Sequence, residues 1–185
     1  MKKFPLLLLD AGPIIKLFEL NLWNKLLQSC DVTVSRTVIP ELKWASQEFE
    51  DVRIDIVPYE GKGLRIIDHG TATVASFYAK LSPLYKNLIE PDDGEVATLE
   101  YLLSSSEKWI LCTADGPVFR LMGLLGRGEQ GISLQELTDK VGLQIGINWA
   151  KVSPRDVDWW KFTKKFREKY TLVGQIDATQ GQGLS

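Results

Sequence analysis

Apolar positions fall into short runs and helix-spaced stripes that alternate along the chain. Residues 4–9 form an unbroken apolar run, as expected of a central parallel strand buried on both faces. Ala11-Gly12-Pro13 then turns the chain, and Pro13 suits the first turn of a helix. Ile14, Ile15, Leu17 and Phe18, followed by Leu22, Trp23, Leu26 and Leu27, give helical spacing with a break near Asn21. Val32-Thr33-Val34 reads as a short strand. Thr37 is placed to cap a helix carrying Pro40, Glu41, Leu42, Trp44 and Ala45.

Ile54-Asp55-Ile56-Val57 alternates and ends at Pro58, which predicts a strand toward a sheet edge. Residues 64–81 carry helix-like spacing interrupted at Gly70, and Pro83 ends it. Pro91-Asp92-Asp93-Gly94 opens another helix, with Val96, Ala97, Leu99, Leu102 and Leu103 behind it. Trp109-Ile110-Leu111-Cys112-Thr113 is a second buried strand. A helix follows Asp115 to about Leu125, then a short strand near Ile132 and a helix from Leu134 to Val141. Strands and helices that alternate in this way predict an α/β sandwich around a mainly parallel sheet, in three layers. From Asn148 the composition changes: tryptophans and phenylalanines interleave with lysines, and residues 155–170 fit an amphipathic helix before a Gly/Gln-rich, frayed end. The expected division is residues 1–145 as the main domain and 146–185 as an aromatic, basic appendage.

At 185 residues, 44% hydrophobic and 25% charged, the chain has the make-up of one ordinary globular domain. A net charge of −2 argues against broad, non-specific nucleic-acid affinity but is compatible with a local basic patch beside a cluster of acids. The first apolar run is too short for a secretory signal, and no stretch approaches the ~20 apolar residues of a membrane span. Cys30 and Cys112 lie in apolar surroundings without CxxC spacing and read as reduced core thiols of a cytoplasmic protein.

Four acids occupy strand ends or helix entrances: Asp10, Glu41, Glu95 and Asp115. Any one of them could be no more than a cap or a helix-dipole partner. Asp10 is different, because a charge at the end of a fully apolar central strand is costly unless paired or metal-bound. Carboxylates gathered at the carboxyl ends of adjacent parallel strands face the crevice where α/β sheets place ligands, and they call for a hard cation such as Mg²⁺ or Mn²⁺.

With these motifs in hand, the chain resembles the PIN-domain family of metal-dependent ribonucleases, which includes toxins of toxin–antitoxin pairs. The resemblance runs from Leu6 to about Val141. Leu9-Asp10-Ala11-Gly12-Pro13-Ile14-Ile15 is similar to the family's opening strand and turn, Val38-Ile39-Pro40-Glu41-Leu42 to its second acidic motif, Asp93-Gly94-Glu95-Val96-Ala97-Thr98-Leu99 to its third and Thr113-Ala114-Asp115 to its fourth. Gly12 departs from the hydroxyl or amide residue that many members carry there.

The resemblance implies that Asp10 and Asp115 hold Mg²⁺ or Mn²⁺ with Glu95, directly or through water. Glu41 would orient the attacking water or complete a second site. Asp93 would serve as an outer-shell group, an N-cap or a substitute for Glu95, and Thr113 would bond a carboxylate or a substrate phosphate. It further implies an RNA substrate and, as partners, an antitoxin protein or a second copy of the chain. Lys16, Arg36, Lys43 and Arg120 could flank the cleft or lie on solvated helix faces. The tail could stack single-stranded bases, pack on the domain or receive a partner. Two other readings stand beside the nuclease: a non-catalytic PIN-like scaffold that binds RNA or protein, and an aspartyl-phosphate phosphotransferase, for which Gly12 stands where a second Asp is needed. His69, the one histidine, reads as a surface or helix-end residue.

Overall fold

The computed structural model of the protein describes residues 3–8, 10–47, 50–68, 70–81, 93–143 and 158–182. Strand β1 (Phe4–Leu8) runs into helix α1 (Ala11–Glu19). Asn21 then takes a left-handed φ of 54°, a conformation Asn tolerates, and α2 (Trp23–Ser29) follows. Strand β2 (Cys30–Ser35) lies parallel to β1, from Phe4 opposite Cys30 to Leu8 opposite Val34.

Beyond β2 the chain departs from expectation. The helix expected from Thr37 to Ala45 is a 3-10 turn, Arg36–Glu41, capped by the Ser35 hydroxyl, which accepts from the Thr37 amide at 3.3 Å. Its β-branched residues and the donor missing at Pro40 favour one tight turn over an α-helix. Trp44 and Ala45 belong to a strand, β3 (Trp44–Gln47), which pairs antiparallel with β4 (Glu50–Arg53). The strand expected at 54–57 is irregular chain leading into a 3-10 turn, Val57–Tyr59; Ile54 and Ile56 are buried without entering a ladder. The helix expected over 64–81 divides. Leu64–Ile67 is β5, the edge strand beside β2, with Leu64 and Ile66 turned inward and Arg65 outward, and only Thr71–Leu81 is helical (α3). Gly70 marks the helix start, its carbonyl accepting from the Thr73 and Val74 amides.

Helix α4 (Asp93–Ser104) and strand β6 (Ile110–Cys112), parallel to β1, match the sequence pattern, as do α5 (Gly116–Leu124), β7 (Gly131–Ile132) and α6 (Leu134–Lys140). The sheet order is β5-β2-β1-β6-β7, and every neighbouring pair is parallel. Successive residues of β6 point to opposite faces: Cys112 joins a core with Ile14, Leu17 and Leu26, whereas Leu111 joins one with Leu99, Leu121 and Met122. Helices therefore bury both sides of this α/β sheet, an arrangement compatible with three layers. Among the described residues, no helix is long and apolar enough to cross a membrane.

The tail helix lies later than residues 155–170. A 3-10 turn, Trp159–Phe162, precedes α7 (Lys164–Asp177), which Thr163 caps and which continues as a π-helical turn through Gln182. Residues 155–157 of the expected helix, Pro83, Pro91 and His69 lie outside the described residues. Helix α7 docks on α5 with the two backbones in contact: a Cβ at Gly174 would collide with the Arg120 carbonyl, and one at Gly123 with that of Thr171. Arg120 closes the pair by bonding Asp177 at 2.6 Å.

Candidate active site

Chain order reverses at the centre of the sheet. From β1 the chain proceeds outward through β2 to β5, then returns to the other side of β1 for β6 and β7. Such a switch point leaves a crevice beyond the carboxyl ends of the two central strands, β1 and β6. Asp10 follows β1 and Asp115 follows β6, so both acids stand at this crevice.

Asp10 occupies the position before α1 with extended backbone, but its carboxylate does not cap that helix. It turns toward β6 instead. Its Oδ2 accepts from the Thr113 hydroxyl at 2.8 Å and from the Ala114 amide at 3.3 Å. The fully buried Thr113 hydroxyl in turn accepts from the Asp115 amide at 2.9 Å, so one oxygen ties the two acidic turns together. Asp115 caps α5, its Oδ1 accepting from the Val118 amide at 2.9 Å.

The other oxygen of Asp10, Oδ1, is buried and receives no well-aligned hydrogen bond from a described residue, although the Gly12 backbone amide is near enough to favour the charged carboxylate. Burial pushes the Asp10 carboxyl up from 3.8 to about 6; the bonds from Thr113, Ala114 and the Gly12 amide oppose the shift, and the negative charge of Asp115 adds to it. Two hard oxygen donors in one crevice, one of them buried and only partly satisfied, are the chemistry a divalent cation relieves.

The close quarters also account for Gly12. A Cβ there would crowd Asp10 Oδ1 at 3.2 Å and would meet the Phe162 ring at 3.7 Å, an ordinary contact, so the carboxylate is the tight neighbour and the tail aromatic only borders the position. Lys16 is buried one and a half turns along α1, bonded to Glu19 and with its ammonium 5.6 Å from the centre of the same ring.

The remaining acids are placed differently. Glu41 ends the 3-10 turn and is exposed. Glu95 sits half-buried in the first turn of α4, a helix that packs on β2 and on that 3-10 turn. Asp93 begins α4. Among the described residues, no three His, Cys, Asp or Glu side chains gather closely enough to hold a metal ion. The structure thus brings Asp10, Thr113 and Asp115 together, and leaves Glu41 and Glu95 on elements that adjoin one another. Of the four basic residues, Arg36 pairs with Asp68 and Arg120 with Asp177, Lys16 is buried, and Lys43 is exposed.

One acid near this end of the sheet escaped the sequence reading. Ser133 and Glu136 form a reciprocal capping box at the start of α6, just after β7, and Arg167 of α7 grips both carboxylate oxygens of Glu136 at 2.7 and 2.9 Å. Burial raises the Glu136 carboxyl, but Arg167 and Ser133 outweigh it and hold the group below the usual range. The S-x-x-E spacing was a usable signal for the cap. Cys112, between the two sites, has its thiol pushed far up by burial and then by the charges of Asp10 and Glu136, and burial likewise pushes Cys30 up to about 12. Neither thiol is a nucleophile.

No family model, curated protein or solved structure matches the chain.

Proposed function

We propose that the protein is a divalent-metal-dependent endoribonuclease with a PIN-like three-layer fold, working on RNA in the cytoplasm. The observation that carries this reading is the Asp10 carboxylate, with one oxygen buried and without a well-aligned donor, beside Asp115 at the switch point of the sheet. A lone structural carboxylate in that position would be expected to find a partner for each oxygen.

Asp10 and Asp115 would hold Mg²⁺ or Mn²⁺, with Glu95 and Glu41 as the further acids the resemblance implies. The cation would neutralise charge on the phosphodiester and make water more acidic. The chain's own residues set up that chemistry. Thr113 fixes the rotamer of Asp10 by bonding its Oδ2 and leaves Oδ1 without that donor. Asp115 is held by the amide at the start of α5, where the positive end of the helix dipole favours a carboxylate or a phosphate. Phe162 is a buried apolar neighbour on the Gly12 side of Asp10, and a low-dielectric wall of that kind strengthens electrostatic interactions beside it. An antitoxin or a second copy of the chain is the partner the resemblance implies.

A second reading, the non-catalytic scaffold, draws on the exposed position of Glu41 and the engagement of Asp115 as a cap. The two part on metal binding. Calorimetric titration with Mn²⁺ should show saturable binding that Asp10→Asn removes, together with Mn²⁺-dependent RNA cleavage lost in the same variant. Equal Mn²⁺ titrations for the two proteins would refute the nuclease reading.

A further inference from the structure

The β3–β4 hairpin carries an exposed tryptophan in unusual company. Trp44 is 57% exposed although the next residue, Ala45, is fully buried, so the ladder turns one face inward and presents the other to solvent. In the antiparallel pairing Trp44 lies directly opposite Arg53, and opposite residues of a ladder stand side by side on one face. Lys43, also exposed, precedes Trp44. Neither cation is in an ion pair with a described residue. Asp51 accepts from the Ser46 hydroxyl at 2.8 Å and Asp55 from the Val57 amide at 3.1 Å, bonds that orient these acids but leave their charge, and Glu41 and Glu50 are exposed nearby. Beside these residues runs an open groove of about 460 Å³, walled by Pro40, Lys43, Trp44, Arg53 and Asp55 among others.

The hairpin also lies at the right end of the molecule. The 3-10 turn that ends at Glu41 leads from the carboxyl end of β2 into β3, and β3 packs on α1, the helix that Asp10 opens. An exposed aromatic ring flanked by cations that form no ion pair with a described residue is an arrangement that holds a single strand, the ring taking a base and the cations its phosphates.

We propose that Trp44, Lys43 and Arg53 form a stacking and phosphate-holding subsite for single-stranded nucleic acid, set beside the crevice of Asp10 and Asp115. The identity of the ligand rests on the nuclease reading, but the subsite makes its own demands. Trp44 stacks one base, Arg53 and Lys43 neutralise the phosphates on either side, and the strand continues past Glu41.

Fluorescence anisotropy of the full chain with a short labelled oligouridylate, in EDTA so that nothing is cleaved, tests it. Wild type should bind the single strand more tightly than a duplex of the same length. Trp44→Ala should weaken binding by about 5- to 100-fold, the range expected for loss of one base–aromatic stack, while Trp44→Phe keeps most of the affinity. Lys43→Gln and Arg53→Gln should each lower the slope of log affinity against log salt by about 0.7, the value for one single-strand phosphate contact. Because Trp44 is exposed, none of these variants should alter the melting temperature. Equal affinity of Trp44→Ala and wild type, equal preference for duplex, or no binding at all would overturn the assignment and leave the face to a protein partner. Mn²⁺-dependent cleavage, measured beside binding, separates the two readings. Trp44-dependent binding without any Mn²⁺-dependent cleavage by wild type would sink the nuclease and keep the subsite, whereas cleavage that Trp44→Ala leaves untouched, with unchanged binding, would do the reverse.

Discussion

Replacing Asp10 by Asn should change the way stability depends on pH. The folded protein holds the Asp10 proton more tightly than the unfolded chain, since the carboxyl rises from 3.8 to about 6 on folding. Stability from this group is therefore fully present below about pH 3.8 and is lost as pH rises through about 6. The full difference amounts to about 3 kcal/mol at ~1.4 kcal/mol per pH unit. Between about pH 5 and pH 8 the loss is roughly 1–2 kcal/mol, or about 3–6 °C in Tm for a chain of this size.

Asn keeps the shape, and its carbonyl can still accept from Thr113 and Ala114, while its amide occupies the place of Oδ1. That amide adds a cost independent of pH. The diagnostic is therefore the difference between the two proteins, measured by metal-free thermal denaturation across this range. Tm of Asp10→Asn minus Tm of wild type should climb by about 3–6 °C from the acidic to the alkaline end. Mn²⁺ at about a hundred times its Kd should then restore about 2.7 kcal/mol to wild type at the alkaline end and nothing to the variant. A difference that stays flat with pH, or an equal response of both proteins to Mn²⁺, would refute the account of Asp10 as a buried charge that its hydrogen bonds only partly compensate.

Two further substitutions probe the surroundings. Thr113→Val removes the hydroxyl that donates to Asp10 and accepts from the Asp115 amide, so it should cost about 1–3 kcal/mol in urea denaturation and raise the Asp10 carboxyl further, visible as a later acid limb in a carboxyl-carbon NMR titration. Gly174→Ala would be expected from helix propensity alone to stabilise α7 by about 1 kcal/mol; contact with the Arg120 carbonyl should reverse the sign and cost about 3 kcal/mol or more in the same denaturation assay.

The parts of the fold legible in the sequence were those where one signal dominated. The runs that became β1 and β6 are apolar without interruption because the central strands are covered on both faces, and Asp10 stands out because it ends such a run. The Asp10–Thr113–Asp115 arrangement followed from the same two runs, since neighbouring parallel strands bring their ends together. Residues 37–67 misled because the competing signals are short. The apolar spacing of Val38, Leu42 and Ala45 fits a helix, but β-branching and Pro40 break it, and β5 is only four residues long, too few to separate an alternating strand from a helix face. The grip of Arg167 on Glu136 joins residues far apart in sequence, and nothing local in either segment announces it.

The interlock of α5 and α7 governs when the candidate site can exist as well as where. Helix α5 carries Asp115 at its start and is seated against the backbone of residues 171–175. During synthesis, strands β1, β2 and β6 can assemble early, but the helix that fixes Asp115 lacks its bearing surface until residues 164–177 have left the ribosome. A nascent chain can therefore have both acidic turns in hand and still hold them loosely.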